Sequence, residues 1–319
     1  MKQVMLTEAM EADDIQAVTA LLRDGARLEA CNGARQTLLF HAASYCSSEV
    51  VDLLLAAGAN PHHRDVFAQT PLHCAVRYRS NPGCVALLLR AGSDPDARNN
   101  MQETPLHHVR DIATLRLLLE AGADPNAADE TQETPLHRMA ADRGPDMVEA
   151  LLKAGANPNA ADKHGKRPLH SATNPYNEHA AQIVTLLIGA GARLEARNQY
   201  GKTALHTAAF TNSTAAMGAL LDAGANLNAR TIDGQTPLHL AAEQYTDEND
   251  RMLGMLLRAG ADVNARDGFD STPLHGAAVW GTETAYLMIA LAGGDTQALN
   301  GSGDTPEQLF MDADREPFG

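Results

Sequence analysis

The chain has 319 residues and a formal net charge of −15, from 40 Asp and Glu against 25 Lys and Arg. No basic run interrupts that acidity, which argues against the phosphate-neutralising surface that nucleic acids require and against docking on anionic membranes. No segment approaches the roughly 18 apolar residues of a membrane span. The opening residues Met1 to Glu8 carry no apolar leader stretch, so the expectation is a soluble, cytoplasmic chain. Cys31, Cys46, Cys74 and Cys84 form neither a C-x-x-C motif nor an even disulfide framework, and reduced thiols suit such a setting.

Along the chain, residues 6–25 read as a first helical unit ending at Gly25, within a capping segment of residues 1–30. A phrase then recurs through residues 31–301. Thr70-Pro71-Leu72-His73, Thr104-Pro105-Leu106-His107, Thr134-Pro135-Leu136-His137, Thr236-Pro237-Leu238-His239 and Thr272-Pro273-Leu274-His275 carry it intact. Arg167-Pro168-Leu169-His170 and Thr203-Ala204-Leu205-His206 carry it with one change each. About 21 residues later each unit closes on Leu-Leu-x-x-Gly or a near variant. Gly25, Gly58, Gly92, Gly122, Gly155, Gly191, Gly224, Gly260 and Gly293 follow at intervals of 33, 34, 30, 33, 36, 33, 36 and 33.

Each part of the phrase has a mechanical use. Thr serves as an N-cap whose hydroxyl accepts a bond from the first turn. Pro follows at the first helical position, where its missing N–H does no harm. A short helix A runs through Leu-His-x-Ala. Helix B ends in a Leu pair such as Leu54-Leu55 or Leu256-Leu257, and the glycine then stops it in the left-handed conformation. Length changes fall between the two helices. The fourth unit loses residues near Arg110-Asp111, the sixth inserts around Asn174-Pro175-Tyr176-Asn177, and the eighth inserts around Gln244-Tyr245-Thr246-Asp247. The last unit starts at Thr305-Pro306, stops after one helix near Phe310-Met311, and with its acidic tail makes a C-terminal cap over residues 302–319.

A unit of about 33 residues carrying T-P-L-H resembles the ankyrin repeat. The resemblance runs from about Leu6 to about Phe310. It implies an all-α solenoid of about nine helix-turn-helix repeats plus a C-terminal half repeat, spanning residues 1–319 as one domain. It implies a non-enzymatic protein-binding module, monomeric alone, that takes its partner in a concave groove of turn tips and helix A surfaces. It also implies that the repeated His bonds the backbone of the adjoining turn. The sharper readings are a stoichiometric inhibitor of a basic toxin or enzyme, acting as an immunity protein or antitoxin, and an adaptor or effector directed at a host protein.

Motifs that look like chemistry dissolve on inspection. Tyr200-Gly201-Lys202-Thr203 resembles the end of a phosphate-binding loop, but Ala196 stands where a glycine is needed and no strand leads into it. The seven repeated histidines lie about one repeat apart, roughly 10 Å, which is too far to share an ion. His63 and His108 add no four-ligand set. No nucleophile motif and no cofactor or metal motif is present, and Asn212-Ser213-Thr214 and Asn300-Gly301-Ser302 match a glycosylation pattern that a cytosolic chain would not use.

The aromatics carry the functional expectation. Tyr45, Tyr78, Tyr176, Phe210, Tyr245 and Trp280 lie at the end of helix A or in the turn after it. Phe67, Tyr200 and Phe269 share one slot at the turn tips, which Met101 and Ile232 extend. A Leu and Ala core needs none of them, and interfaces draw their energy from Tyr, Trp and other large side chains. These positions, Ile232 aside, are the candidate partner-binding set. Phe40, Tyr286, Phe310 and Phe318 fit the core or the C-terminal cap. Arg64, Arg98, Arg197, Arg230 and Arg266 share a further slot, open either to a partner or to solvent.

Overall fold

The structure is a computed structural model that describes residues 2–78, 81–244 and 249–313. Its elements are helices throughout the described residues. The first pairs are α1 (Lys2–Glu11) with α2 (Ile15–Arg23), α3 (Leu38–Tyr45) with α4 (Ser48–Ala56), and α5 (Pro71–Tyr78) with α6 (Pro82–Arg90). A 3₁₀ turn, η1 (Pro105–His108), pairs with α7 (Ile112–Glu120), then α8 (Pro135–Asp142) with α9 (Pro145–Lys153) and α10 (Pro168–Ser171) with α11 (Ala180–Gly189). The last pairs are α12 (Ala204–Thr211) with α13 (Thr214–Asp222), α14 (Pro237–Ala242) with α15 (Asn249–Arg258), and α16 (Pro273–Trp280) with α17 (Glu283–Leu291), followed by α18 (Pro306–Ala313). The chain forms two compact units, Met1–Leu136 with Glu149–Asn157 and His137–Val148 with Pro158–Gly319.

Within each unit the packing is layered. First helices of successive pairs pack on one another, as α3 on α5 and α12 on α14, and second helices do the same, as α4 on α6 and α11 on α13. The core is built round a recurrent leucine position in the helices of each pair, which Ile289 takes in α17. Leu39, Leu72, Leu106, Leu136, Leu169, Leu205, Leu238 and Leu274 of the first helices are buried, and so are Leu54, Leu88, Leu118, Leu151, Leu187, Leu220, Leu256 and Ile289 of the second. In the pairs that begin at Leu54, Leu88, Leu118, Leu151, Leu220 and Leu256, only the first member is fully enclosed, since the second lies one step (about 100°) round the helix. Burying one such side chain contributes about 1.5–3 kcal/mol, and truncating it leaves a cavity besides.

The helix ends obey the same repeat. At α4, Gly58 N–H donates to Leu55 O at 2.9 Å and Ala59 N–H to Leu54 O at 3.0 Å, a Schellman closure that requires a positive φ at the glycine. Gly224 repeats it with φ +80°, bonded to Leu221 O, while Ala225 bonds to Leu220 O.

Length changes act on helix A. The shortened fourth repeat keeps only the 3₁₀ turn η1 where others have an α-helix. The insertion in the sixth truncates α10 to four residues and sends the chain through a loop. Asn174 and Asn177 anchor that loop by donating to Ala141 O and Arg143 O. The insertion of the eighth repeat, with Tyr245, lies outside the described residues, as does Phe318.

Candidate protein-binding surface

The turns between pairs are built by one Asx-type device. Asp65 Oδ1 accepts the N–H groups of Phe67 and Gln69 at 2.9 Å each, and Asn99, Asn198 and Asp267 do the same for Met101, Tyr200 and Phe269. Neighbouring tips are then stitched by backbone, Asn100 N–H to Phe67 O at 2.9 Å, Ile232 N–H to Tyr200 O at 3.1 Å and Gly301 N–H to Phe269 O at 2.8 Å. With the tip backbone tied in both directions, the tip side chains have only solvent to point into. Phe67, Met101 and Tyr200 are exposed, and Phe269 is 71% exposed.

The arginine slot has a different role from the one open to a partner. Arg64 Nη1 donates to Arg98 O at 2.9 Å, Arg98 to Ala128 O at 2.7 Å, Arg197 to Arg230 O at 2.8 Å and Arg266 to Leu299 O at 2.7 Å. Arg230 donates to Arg266 O as well. These guanidinium groups staple each turn to the next.

The repeated histidines join the same scaffold and add a second bond to the cap. Backbone N–H groups of Thr70, Thr104, Thr203, Thr236 and Thr272 donate to Nδ1 of the His three residues on, at 3.0–3.2 Å. The Thr hydroxyls sit 2.8–3.0 Å from that same nitrogen. Nδ1 already accepts the N–H, so it carries no proton and the hydroxyl donates to it. The Thr hydroxyl therefore serves the imidazole as well, while at Thr104, Thr203, Thr236 and Thr272 it also accepts from the backbone N–H of that His in a capping box, as the sequence suggests. The proton then resides on Nε2, which donates to a carbonyl of the next repeat. His73, His107, His137, His170, His206, His239 and His275 reach Glu103, Glu133, Lys166, Lys202, Gln235, Ser271 and Asp304 O at 3.0–3.2 Å. Burial pushes His73, His170 and His206 down to about 4 from 6.5 and also lowers His239 and His275.

On this scaffold the second aromatic slot is open in both units. In the first, Tyr45 and Tyr78 are exposed with ring centroids 6.1 Å apart, and the Arg77 guanidinium lies 5.8 Å from the Tyr78 ring centre. In the second, Phe210 and Trp280 are exposed, Trp280 at 66%. Lys202 Nζ stands 4.3 Å from the Phe210 ring centre, a cation–π contact between a turn and the end of α12. Beside it, Gln235 Nε2 donates to Glu243 Oε1 at 2.7 Å, and burial with Asp267 nearby raises the Glu243 carboxyl above its usual range. Tyr176 is 94% exposed on the inserted loop, at a cleft of about 480 Å³ that Asn212, Thr214 and Arg251 also line. Of the apolar candidates for the core, Phe40 and Tyr286 are buried, and Tyr286 stacks on Phe310 at 4.2 Å.

Sequence reasoning passed over three features. Lys202 was visible only as part of a false phosphate motif, and its partner Phe210 lies eight residues away on a helix end. Leu287 and Leu291 of α17 are exposed at the helix B surface. The signal was available, since the Leu287 position carries Asp52, Arg116 or Glu149 in other repeats. His108, unassigned from sequence, has Nε2 3.1 Å from the largely buried Glu103 Oε2.

A family model described as ankyrin repeats (3 copies) matches residues 6–99, 39–129, 106–181 and 175–267. No curated protein matches the chain at a significant level. Among the described residues, no helix is long and apolar enough to cross a membrane. Ankyrin repeats are generally protein–protein interaction modules and typically non-enzymatic. With those matches spanning most of its length, the chain belongs to the ankyrin repeat family and folds as an all-α repeat solenoid.

Proposed function

We propose that this chain binds a protein partner through the turn tips and helix A ends, with no catalytic role of its own. The observation that carries the reading is the recurrence of exposed apolar side chains at two fixed slots on a scaffold whose turns are tied by backbone, arginine and histidine hydrogen bonds. Phe67, Met101, Tyr45 and Tyr78 supply them in one unit, and Tyr176, Tyr200, Phe210, Phe269 and Trp280 in the other. A rigid backbone presenting exposed aromatics keeps the entropy lost on binding small, and such side chains are the ones that dominate interface energies. Tyr245 belongs to the proposed set by its place in the sequence.

The test is affinity purification from the native cell with the wild-type chain and with Phe210→Ala/Trp280→Ala, read by mass spectrometry. A specific protein retained by the wild type and lost by the folded variant supports the reading. Equal recovery by both refutes the assignment of these residues.

The charge favours a second, narrower reading, a stoichiometric inhibitor of a basic protein. A field of −15 attracts a cationic partner and speeds its approach. An acidic partner would remove that reading and leave the first intact.

A further inference from the structure

The first helices of the second unit line up exposed apolar side chains with one acid among them. Seven residues after Thr203, Thr236 and Thr272 stand Phe210, Glu243 and Val279, where earlier repeats hold Ser44, Arg77 or Ala141. Helices α12, α14 and α16 pack in that order, so Glu243 falls in the row between the exposed Phe210 and the exposed Val279, which Trp280 follows. A second departure makes room for it. Gly276 takes the position of Cys74, Arg138, Ser171, Thr207 and Leu240, and a Cβ there would meet Glu243 Cγ at 3.1 Å. The Glu243 stem therefore leans onto α16, and the residue is half-buried. One neutral group serves its carboxylate, Gln235 Nε2, which donates to Oε1 at 2.7 Å. Asp267 adds a like charge, and Lys202, whose field reaches Glu243, stands over the Phe210 ring at 4.3 Å. Among the described residues no Lys, Arg or His forms an ion pair with Glu243. Its carboxylate has thus given up water without gaining a counter-ion, and burial first, then Asp267, raises it above the usual range.

We propose, on the reading that this surface binds a protein, that Glu243 receives an arginine side chain of the partner within the apolar row of Phe210, Val279 and Trp280. Gln235 leaves Oε2 open, and a guanidinium offers two parallel N–H donors with the positive charge that the carboxylate lacks. It is more weakly hydrated than an ammonium, and its flat faces pack on exposed rings such as Phe210 and Trp280. The net charge of −15 draws a cationic side chain toward the row. A partner that covered Glu243 with an apolar or acidic group would strip the carboxylate of its remaining water and leave it unpaired. Glu243 therefore selects against partners without the cation as well as for those with it.

The probe is a random library of dodecapeptides displayed on phage and selected on the full chain, with the enriched peptides then synthesised and their affinities measured by calorimetry. Peptides whose binding is lost on Phe210→Ala report on this surface. They should carry an arginine and lose about tenfold or more in affinity on Glu243→Gln, which keeps an oxygen for the Gln235 amide. Replacing that arginine with citrulline, which keeps its shape and drops its charge, should cost as much on the wild-type chain. The two losses should not add, since each removes the same pair. Arginine-free peptides, or an affinity untouched by Glu243→Gln in peptides that need Phe210, overturn the proposal and leave the protein-binding reading standing. If no enriched peptide depends on Phe210, both fall. If Glu243→Gln loses its helical signal, the citrulline exchange on the wild-type chain decides, and an undiminished affinity there overturns the proposal.

Discussion

Acidification from pH 7.5 to pH 5 should destabilise this protein through its repeat histidines. Three of them, His73, His170 and His206, have native values near 4 against 6.5 for an unperturbed imidazole. The native value is depressed, so between the two values the unfolded chain binds more protons. Stability is therefore full above about 6.5 and is lost as pH falls toward 4. At pH 5 each site costs about 2 kcal/mol relative to pH 7.5, hence about 6 kcal/mol for the three. His239 and His275 are shifted in the same direction and add to the loss. The cause is geometric as well as dielectric, since a proton on Nδ1 collides with the N–H and hydroxyl of Thr70 at His73 and of Thr203 at His206, and with the Arg167 N–H at His170. Ordinary carboxylates titrate below this window. Asp96 and Glu243, with raised native values, act with the opposite sign and stabilise the fold as pH falls. The assay is urea unfolding followed by circular dichroism at pH 7.5, 6 and 5. The midpoint should drop steadily, and His206→Gln should flatten the slope of stability against pH by about one bound proton. A midpoint unchanged from pH 7.5 to 5 would refute the buried neutral tautomer.

Truncating Phe210 or Trp280 to Ala should weaken partner binding by about 2 kcal/mol with little change in melting temperature, and a collapse in melting with affinity retained would make these side chains structural. Gly201→Ala should cost about 2–3 kcal/mol, because φ is +71° and a Cβ would sit 2.8 Å from Ile232 N, whereas Gly224→Ala, with φ +80° and open space around it, should cost about 1 kcal/mol. Equal losses in urea unfolding would show that the Gly201 turn yields to the added atom. Association with the purified partner should slow as salt rises while dissociation changes less, since screening acts beyond about 8 Å at physiological salt. A salt-independent association rate would leave the acidity as a solubility device.

The fold was legible because each repeat states its own caps. Thr-Pro before a leucine and Gly after a Leu pair mark both ends of a helix pair, and repetition removes the ambiguity of a single occurrence. The effect of insertions on helix A was harder to foresee. Nothing in Asn174-Pro175-Tyr176-Asn177 says that α10 stops at Ser171, since the loop is held by Asn side chains reaching carbonyls over 30 residues earlier. The exposure of the aromatics could be anticipated from their slots, because a period fixes which face a position takes. Pairings between unlike slots could not, as with Lys202 over Phe210 or Glu243 against Gly276, where a departure in one repeat meets a departure in its neighbour.

The central claim is that the partner sits on turn tips and helix A ends. Oxidative footprinting of side chains in the free chain and in the complex tests it directly. The account predicts protection at Phe269, Phe210 and Trp280 in one unit or at Phe67, Met101 and Tyr78 in the other, with Leu287 and Leu291 on the helix B surface unchanged. Protection confined to Leu287 and Leu291, with the aromatic slots still fully reactive in the complex, would contradict it.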